Sequence, residues 1–226
     1  MLLVRDRSGG VQMNGEMMKL FACLGSGNCM KPWLALNQLG IPFELNLVDV
    51  LKGEQSSAPF LAINPQGVVP YLITDEHNGI GESNAMLWYI CEDTALMPQT
   101  TSERAEALQW MFFEQTKLEP FISPARFFNH ILPSEKTNRA ADISDWQEKA
   151  RPGLKDLDTH LAKRTFMLEA GYSIADIAIF GYVHVLEEAG LNGADIPNVM
   201  RWIEDVRATV GFVELGSLGL STANAA

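Results

Sequence analysis

The chain has 226 residues, 47% of them hydrophobic and 20% charged, and carries a formal net charge of −11. Such a composition belongs to a globular protein with a sizeable core, and the length allows one large domain or two small ones. The negative charge argues against a nucleic-acid backbone or an anionic membrane surface as partner, and no apolar run approaches the ~18 residues that span a bilayer.

Residues 1–16 place Arg5, Asp6 and Arg7 where a signal peptide needs an apolar stretch, so they read as a flexible leader to a cytoplasmic protein. Three cysteines cannot all pair, which fits a reducing compartment. From Met17 onward short apolar runs alternate with turn residues. KLFACL reads as a strand, Pro32–Leu39 as a helix and PFELNLVDV as a second strand. A polar loop follows, then VVPYLIT, an Asn78-Gly79 turn and a helical NAMLWYICED. This order predicts an α/β domain with a mixed sheet over 17–92. The stretch 93–101, which holds most of TALMPQTTS (94–102), reads as a linker.

Beyond it the periodicity is helical, and 102–226 reads as an all-helical domain. Ser102 and Glu103 open a helix carrying Leu108, Met111, Phe112 and Gln115. Trp146, Ala150, Leu154, Leu157 and Leu161 keep helical spacing, with a kink or restart expected at Pro152-Gly153. Ser173 and Asp176 form a capping-box-like pair before IADIAIFGYVHVL, which is expected to end at Gly190. Pro197 starts a last helix with Val199, Trp202, Ile203 and Val206 on its apolar face.

CLGSGNC at 23–29 is the first candidate site. Five residues separate its cysteines, a poor match to a redox CxxC. GSGN lacks the GK[ST] ending of a phosphate loop, and no Cys/His cluster stands nearby to complete the four ligands of a zinc site. A serine at a helix N-terminus remains. Cys23 is then a strand residue, Cys29 a packed helix residue and Cys91 a core residue.

An apolar strand leading into SGNC, followed by NPQGVVP, GESNA and the S-x-A-D of Ser173–Asp176, is a specific combination. On these motifs the chain resembles cytosolic glutathione transferases over residues 17–213. The resemblance implies a thioredoxin-like first domain, a helical second domain, a homodimer, and glutathione as co-substrate beside small-molecule substrates, with no metal. It implies a cis bond at Val69–Pro70, leaving the Val69 main chain to pair with an extended peptide ligand. It places Ser83 at the γ-glutamyl carboxylate and Glu82 at the ammonium. Gln55, with Lys52 beside it, matches the glycyl-end position. Val68 departs from the pattern, since many relatives have Gln or Lys there.

Phe21 and Ala22 exclude the tyrosine type of the family, and the serine types align Ser26 with the hydroxyl that meets the glutathione sulfur. The loop also resembles the nu-class T-P-N turn, with Ser26 at the Thr and Asn28 at the Asn, whereas cysteine-type enzymes carry their Cys at the position of Asn28. The family's electrophile pocket lies between the domains, with Trp110, Phe113, Phe127, Phe128 and an exposed Arg126 as candidates here. A thiol of pKa ~8.5 is only a few per cent ionised at neutral pH. A hydroxyl donating to the thiolate lowers that pKa by about one to two units. Conjugation, peroxidase activity and disulfide reduction share this chemistry, and Asn28 tilts the reading toward the last. The rival is a non-catalytic binding or scaffolding protein on the same fold.

Overall fold

The computed structural model describes residues 17–74 and 78–219, so the leader at 1–16 lies outside the described residues. The chain divides into two compact units. The first runs to Ile90 and takes up the chain again from Gly211; the second is Cys91–Val210.

In the first unit, β1 (Met18–Ala22) buries every second residue, with Met18, Leu20 and Ala22 inward, the period that a pleated strand imposes. Helix α1 (Gly27–Gln38) returns the chain so that β2 (Phe43–Leu47) lies parallel to β1. β3 (Tyr71–Ile73) and β4 (Gly79–Ile80) complete a mixed four-stranded sheet in the order β2-β1-β3-β4, with β3 antiparallel to both its neighbours. A Cβ at residue 79 would overlap the Tyr71 hydroxyl, so any other residue there requires the Tyr71 side chain to shift. α3 (Ser83–Cys91) buries Met86, Leu87, Ile90 and Cys91.

Two local readings change. α1 starts five residues before Pro32, because Ser26 caps it and supplies an acceptor for a first-turn N–H. The expected polar loop after β2 contains two 3₁₀ turns (Val50–Lys52 and Glu54–Ser56) and the short α2 (Ala58–Ile63), capped by Asp49 and Ser57.

The second unit holds α4 (Thr101–Phe113), α5 (Glu119–Arg126), α6 (Ala140–Leu161), α7 (Ile174–Val183) and α8 (Pro197–Arg207). The α4 cap is Thr100, not Ser102: Thr100 and Glu103 form the reciprocal capping box, which requires a spacing of three. TALMPQTTS is not a solvated linker, since Leu96 and Met97 are buried and the Leu96 carbonyl accepts from Ile174 N–H at 3.1 Å. α6 runs unbroken through Pro152-Gly153, so the helix does not restart there. Gly153 instead lets the helix approach the π-turn Glu114–Leu118, where an added Cβ would meet Lys117 O and Leu118 Cδ2 at 3.0 Å each. α7 starts at the Ser173–Asp176 capping box, and α8 starts at Pro197 and buries Val199, Trp202, Ile203 and Val206. α7 ends at Val183, with turns carrying the chain on to Gly190.

Residues 211–219 group with the first unit, whereas the sequence reading ran the helical domain to 226. Leu215 and Leu218 are buried, and Gly219, at φ +89°, lies against Leu24 and Leu47 of the first unit. Among the described residues, no helix is long and apolar enough to cross a membrane.

Candidate functional site

Strand register gathers the motifs of the first unit at one end of its sheet. Ala22 pairs with Leu47 and Phe21 with Tyr71, so the segments after β1, after β2 and before β3 leave the sheet together. Leu72 pairs with Ile80, which sends the chain after β4 toward that same end. Ser26, the 49–57 turns, Val69–Pro70 and Glu82–Ser83 therefore converge although they lie far apart in sequence. The 64–67 turn abuts two of these segments: a Cβ on Gly67 would meet Gln55 O at 3.1 Å, and one on Gly81 would meet Gln66 Oε1 at 3.1 Å.

Ser26 is half-buried at the N-terminus of α1, and its Oγ accepts from Cys29 N–H at 3.3 Å. A hydroxyl oxygen used as an acceptor keeps its own hydrogen to donate. The dipole of α1 and its first-turn N–H groups add positive potential at the same place. Asn28, one turn position on, accepts at Oδ1 from the Ser83 hydroxyl at 3.2 Å. That bond ties the start of α1 to the start of α3. It also commits the Ser83 proton that the resemblance assigned to a ligand carboxylate, leaving the α3 N-terminus as the donor for such a group.

The Val69–Pro70 peptide bond is cis, as the resemblance implies. Asn64 Nδ2 donates to Val68 O at 2.8 Å and shapes the turn. Val68 itself is exposed. Glu82 is exposed, with its main-chain carbonyl accepting from Met86 N–H at 2.9 Å. Gln55 is half-buried, and its Oε1 is a buried acceptor with no partner among the described residues. The Lys52 ammonium is exposed and paired with Asp49 at 2.8 Å, so it is already engaged.

Cys23 and Cys29 are not independent packing residues. Cys23 N–H donates to Cys29 Sγ at 3.3 Å, and the two sulfurs are 3.9 Å apart. The hydrogen bond from Cys29 holds the Cys23 thiol below its ordinary value, against burial and with a smaller contribution from Ser26. Burial pushes Cys29 well up, and the neighbouring Cys23 adds to the rise. Linear spacing hid this pair, because the turn at Gly25 folds residues six apart onto each other.

The remaining candidates stand in the second unit. Trp110 packs edge-on against Phe113 at 5.1 Å and tilts over His160 at 4.3 Å. Its Nε1 is buried with no partner among the described residues. Phe127 packs edge-on against Phe128, which stacks on Trp146 at 6.0 Å. Arg126 is the clearest departure. It is only 5% exposed, and its Nε donates to Glu188 at 2.6 Å, a partner 62 residues away that local sequence could not reveal.

Residues 20–98 match the family model described as glutathione S-transferase, N-terminal domain, and residues 137–205 match that of the C-terminal domain. The chain is 31% identical to the disulfide-bond oxidoreductase YfcG of Escherichia coli over 80% of its length and 86% of that protein. It is 32% identical to glutathione S-transferase GstB of the same species, over 84% and 93%. A crystal structure of a possible glutathione S-transferase from Rhodopseudomonas palustris superposes with a TM-score of 0.86, at 38% identity over 89% of this chain and 98% of that one.

Proposed function

This chain belongs to the glutathione S-transferase family, and from that premise we propose that it uses Ser26 to stabilise the glutathione thiolate for attack on an electrophile or a disulfide. It is an enzyme of the glutathione transferase type, with the thioredoxin-like and all-helical domains of the family. The observation that carries the reading is the Ser26 hydroxyl. Its oxygen accepts from the Cys29 N–H at the N-terminus of α1, and the hydrogen it keeps, which also reaches the Cys23 thiol, can be donated to a glutathione sulfur placed at the helix end.

Asn28 and Ser83 position the two helix N-termini, Val69 offers its main chain to the peptide backbone of glutathione, and Glu82 offers a carboxylate to the ammonium. Gln55 takes the glycyl-end assignment, where its amide NH₂ would donate to the glycyl carboxylate. No general base is required, because lowering the thiol pKa by about one to two units already raises the thiolate fraction roughly ten-fold or more.

Among the reactions sharing that thiolate, similarity to YfcG favours disulfide reduction. The glutathione thiolate attacks one sulfur of a disulfide, forming a mixed disulfide and releasing the other half as a thiolate. In a coupled assay, the protein should consume a small model disulfide at a rate proportional to glutathione. Conjugation of an aryl halide without disulfide turnover would move the assignment to electrophile transfer. Failure of the protein to be retained on a glutathione matrix would support the non-catalytic rival instead.

The reading includes a homodimer, supported by Leu108 and Phe112, which stand exposed one turn apart on α4, Phe112 at 67%. It includes a cytoplasmic location, supported by three free thiols.

Glu82→Ala tests the γ-glutamyl assignment. Removing an exposed carboxylate that meets the ligand ammonium should raise the apparent KM for glutathione about five- to thirty-fold with little change in kcat. An unchanged KM would reduce GESNA to the start of a helix.

A further inference from the structure

We propose that Cys23 and Cys29 form a redox-active pair that a small-molecule disulfide oxidises to an intramolecular disulfide, with Cys23 as the attacking and Cys29 as the resolving sulfur. The inference goes beyond the Ser26 reading and shares with it only the Ser26 hydroxyl, which makes a minor contribution to the ionisation of the two cysteines.

Geometry carries it. The sulfurs are 3.9 Å apart, and the Cys23 N–H already points at Cys29 Sγ at 3.3 Å. The two residues sit on opposite sides of the turn through Gly25, one after β1 and one in the first turn of α1, so closing the gap needs a shift within a turn rather than between elements. Access is one-sided. Cys23, buried but for 8% of its surface, lines a pocket of about 420 Å³ with Leu47, Val48, Asp49, Leu51 and Glu54, whereas Cys29 has no exposure at all. A disulfide entering that pocket meets the Cys23 sulfur first.

The ionisation order agrees. Cys23 is held below the ordinary thiol value and carries more thiolate than an isolated cysteine. Part of what keeps Cys29 protonated is Cys23 itself, through its hydrogen bond and its charge. Once the Cys23 sulfur is in a mixed disulfide that charge is gone, and Cys29 becomes easier to ionise when its attack is needed.

The chemistry balances. The Cys23 thiolate attacks one sulfur of R–S–S–R, forming Cys23–S–S–R and expelling RS⁻. Cys29 then attacks the Cys23 sulfur, expelling the second RS⁻ and closing the Cys23–Cys29 bond. Two electrons pass from the protein to the reagent, and the two protons of the cysteine thiols end on two molecules of RSH. Lys52 neutralises Asp49 at 2.8 Å, and Glu54 leaves the pocket with a net negative charge that favours a neutral or cationic reagent over an anionic one.

Cystamine, a small dicationic disulfide, is the probe. Incubated with it and then denatured, the wild-type chain should lose two of its three titratable thiols, keep no bound cysteamine, and show a Cys23–Cys29 linked peptide in its digest. Cys29→Ser should stop at the first step and accumulate one cysteamine on residue 23. Cys23→Ser should keep both remaining thiols. Retention of all three thiols by the wild type, a stable cysteamine adduct on it, or loss of two thiols from Cys23→Ser would each overturn the proposal. The assay contains no glutathione, so its failure leaves the Ser26 reading standing, and the converse holds.

Discussion

Asp176→Ala should lower the free energy of unfolding by about 4 kcal/mol, because it strands several buried donors at once, each costing roughly 1–3 kcal/mol. Oδ1 of this fully buried carboxylate accepts from Met167 N–H at 2.8 Å and from Trp202 Nε1 at 2.9 Å. Oδ2 accepts from Ser173 N–H at 2.9 Å and Ser173 Oγ at 3.3 Å. One side chain thus closes the cap of α7, holds the chain at Met167 and anchors α8 through Trp202. Trp202→Phe removes a donor rather than an acceptor of several, and should cost less. Urea unfolding of the two variants checks the order, and an Asp176→Ala midpoint equal to wild type would remove Asp176 from this role.

A pH dependence accompanies it. Burial raises the Asp176 pKa from 3.8 to about 6, against the hydrogen bonds from Trp202, Met167 and Ser173. The folded chain therefore holds a proton that the unfolded chain has released between those values. The contribution of this group to stability is fully present below pH 3.8, falls as pH rises toward about 6, and is flat above it. Asp176→Ala should lack that slope.

Ser26→Ala should cut kcat roughly ten- to hundred-fold at about pH 6.5, with much of the loss recovered at about pH 9, where glutathione ionises without help. The hydroxyl is half-buried and its oxygen accepts from Cys29 N–H, so the change also removes the α1 cap, worth about 1 kcal/mol of stability. Ser26→Thr keeps both functions and should keep most of the rate. A variant with proportional loss at both pH values would have lost folded enzyme rather than thiolate stabilisation.

Features written in neighbouring residues were legible. The Ser173–Asp176 box and the Pro197 start follow from spacings of a few residues and from the fixed φ of proline, and the structure has both. Where two local candidates competed, the rule needed stricter use: Thr100, not Ser102, has its glutamate three residues on. The cis bond at Val69–Pro70 was available only through resemblance, since nothing in NPQGVVP separates it physically from an ordinary turn. Features made by chain return were hidden. Arg126 meets Glu188 across 62 residues, and Ser83 meets Asn28 across 55. Cys23 and Cys29 meet across a turn whose register a CxxC rule does not describe. The short α2 was missed because Ser, Ala and Pro in its first turn look like loop composition, although Ser57 caps it.

The central claim is that the Ser26 hydroxyl stabilises a glutathione thiolate, and the thiolate absorbance of the protein–glutathione complex, titrated with pH for wild type, Ser26→Ala and Asn28→Ala, reads it without a second substrate. The wild-type complex should titrate about one to two units below free glutathione, Ser26→Ala should return most of that distance, and Asn28→Ala should shift less. A Ser26→Ala complex that binds glutathione and titrates with the wild-type curve would contradict the account and leave Asn28 or the α1 N-terminus to carry the thiolate.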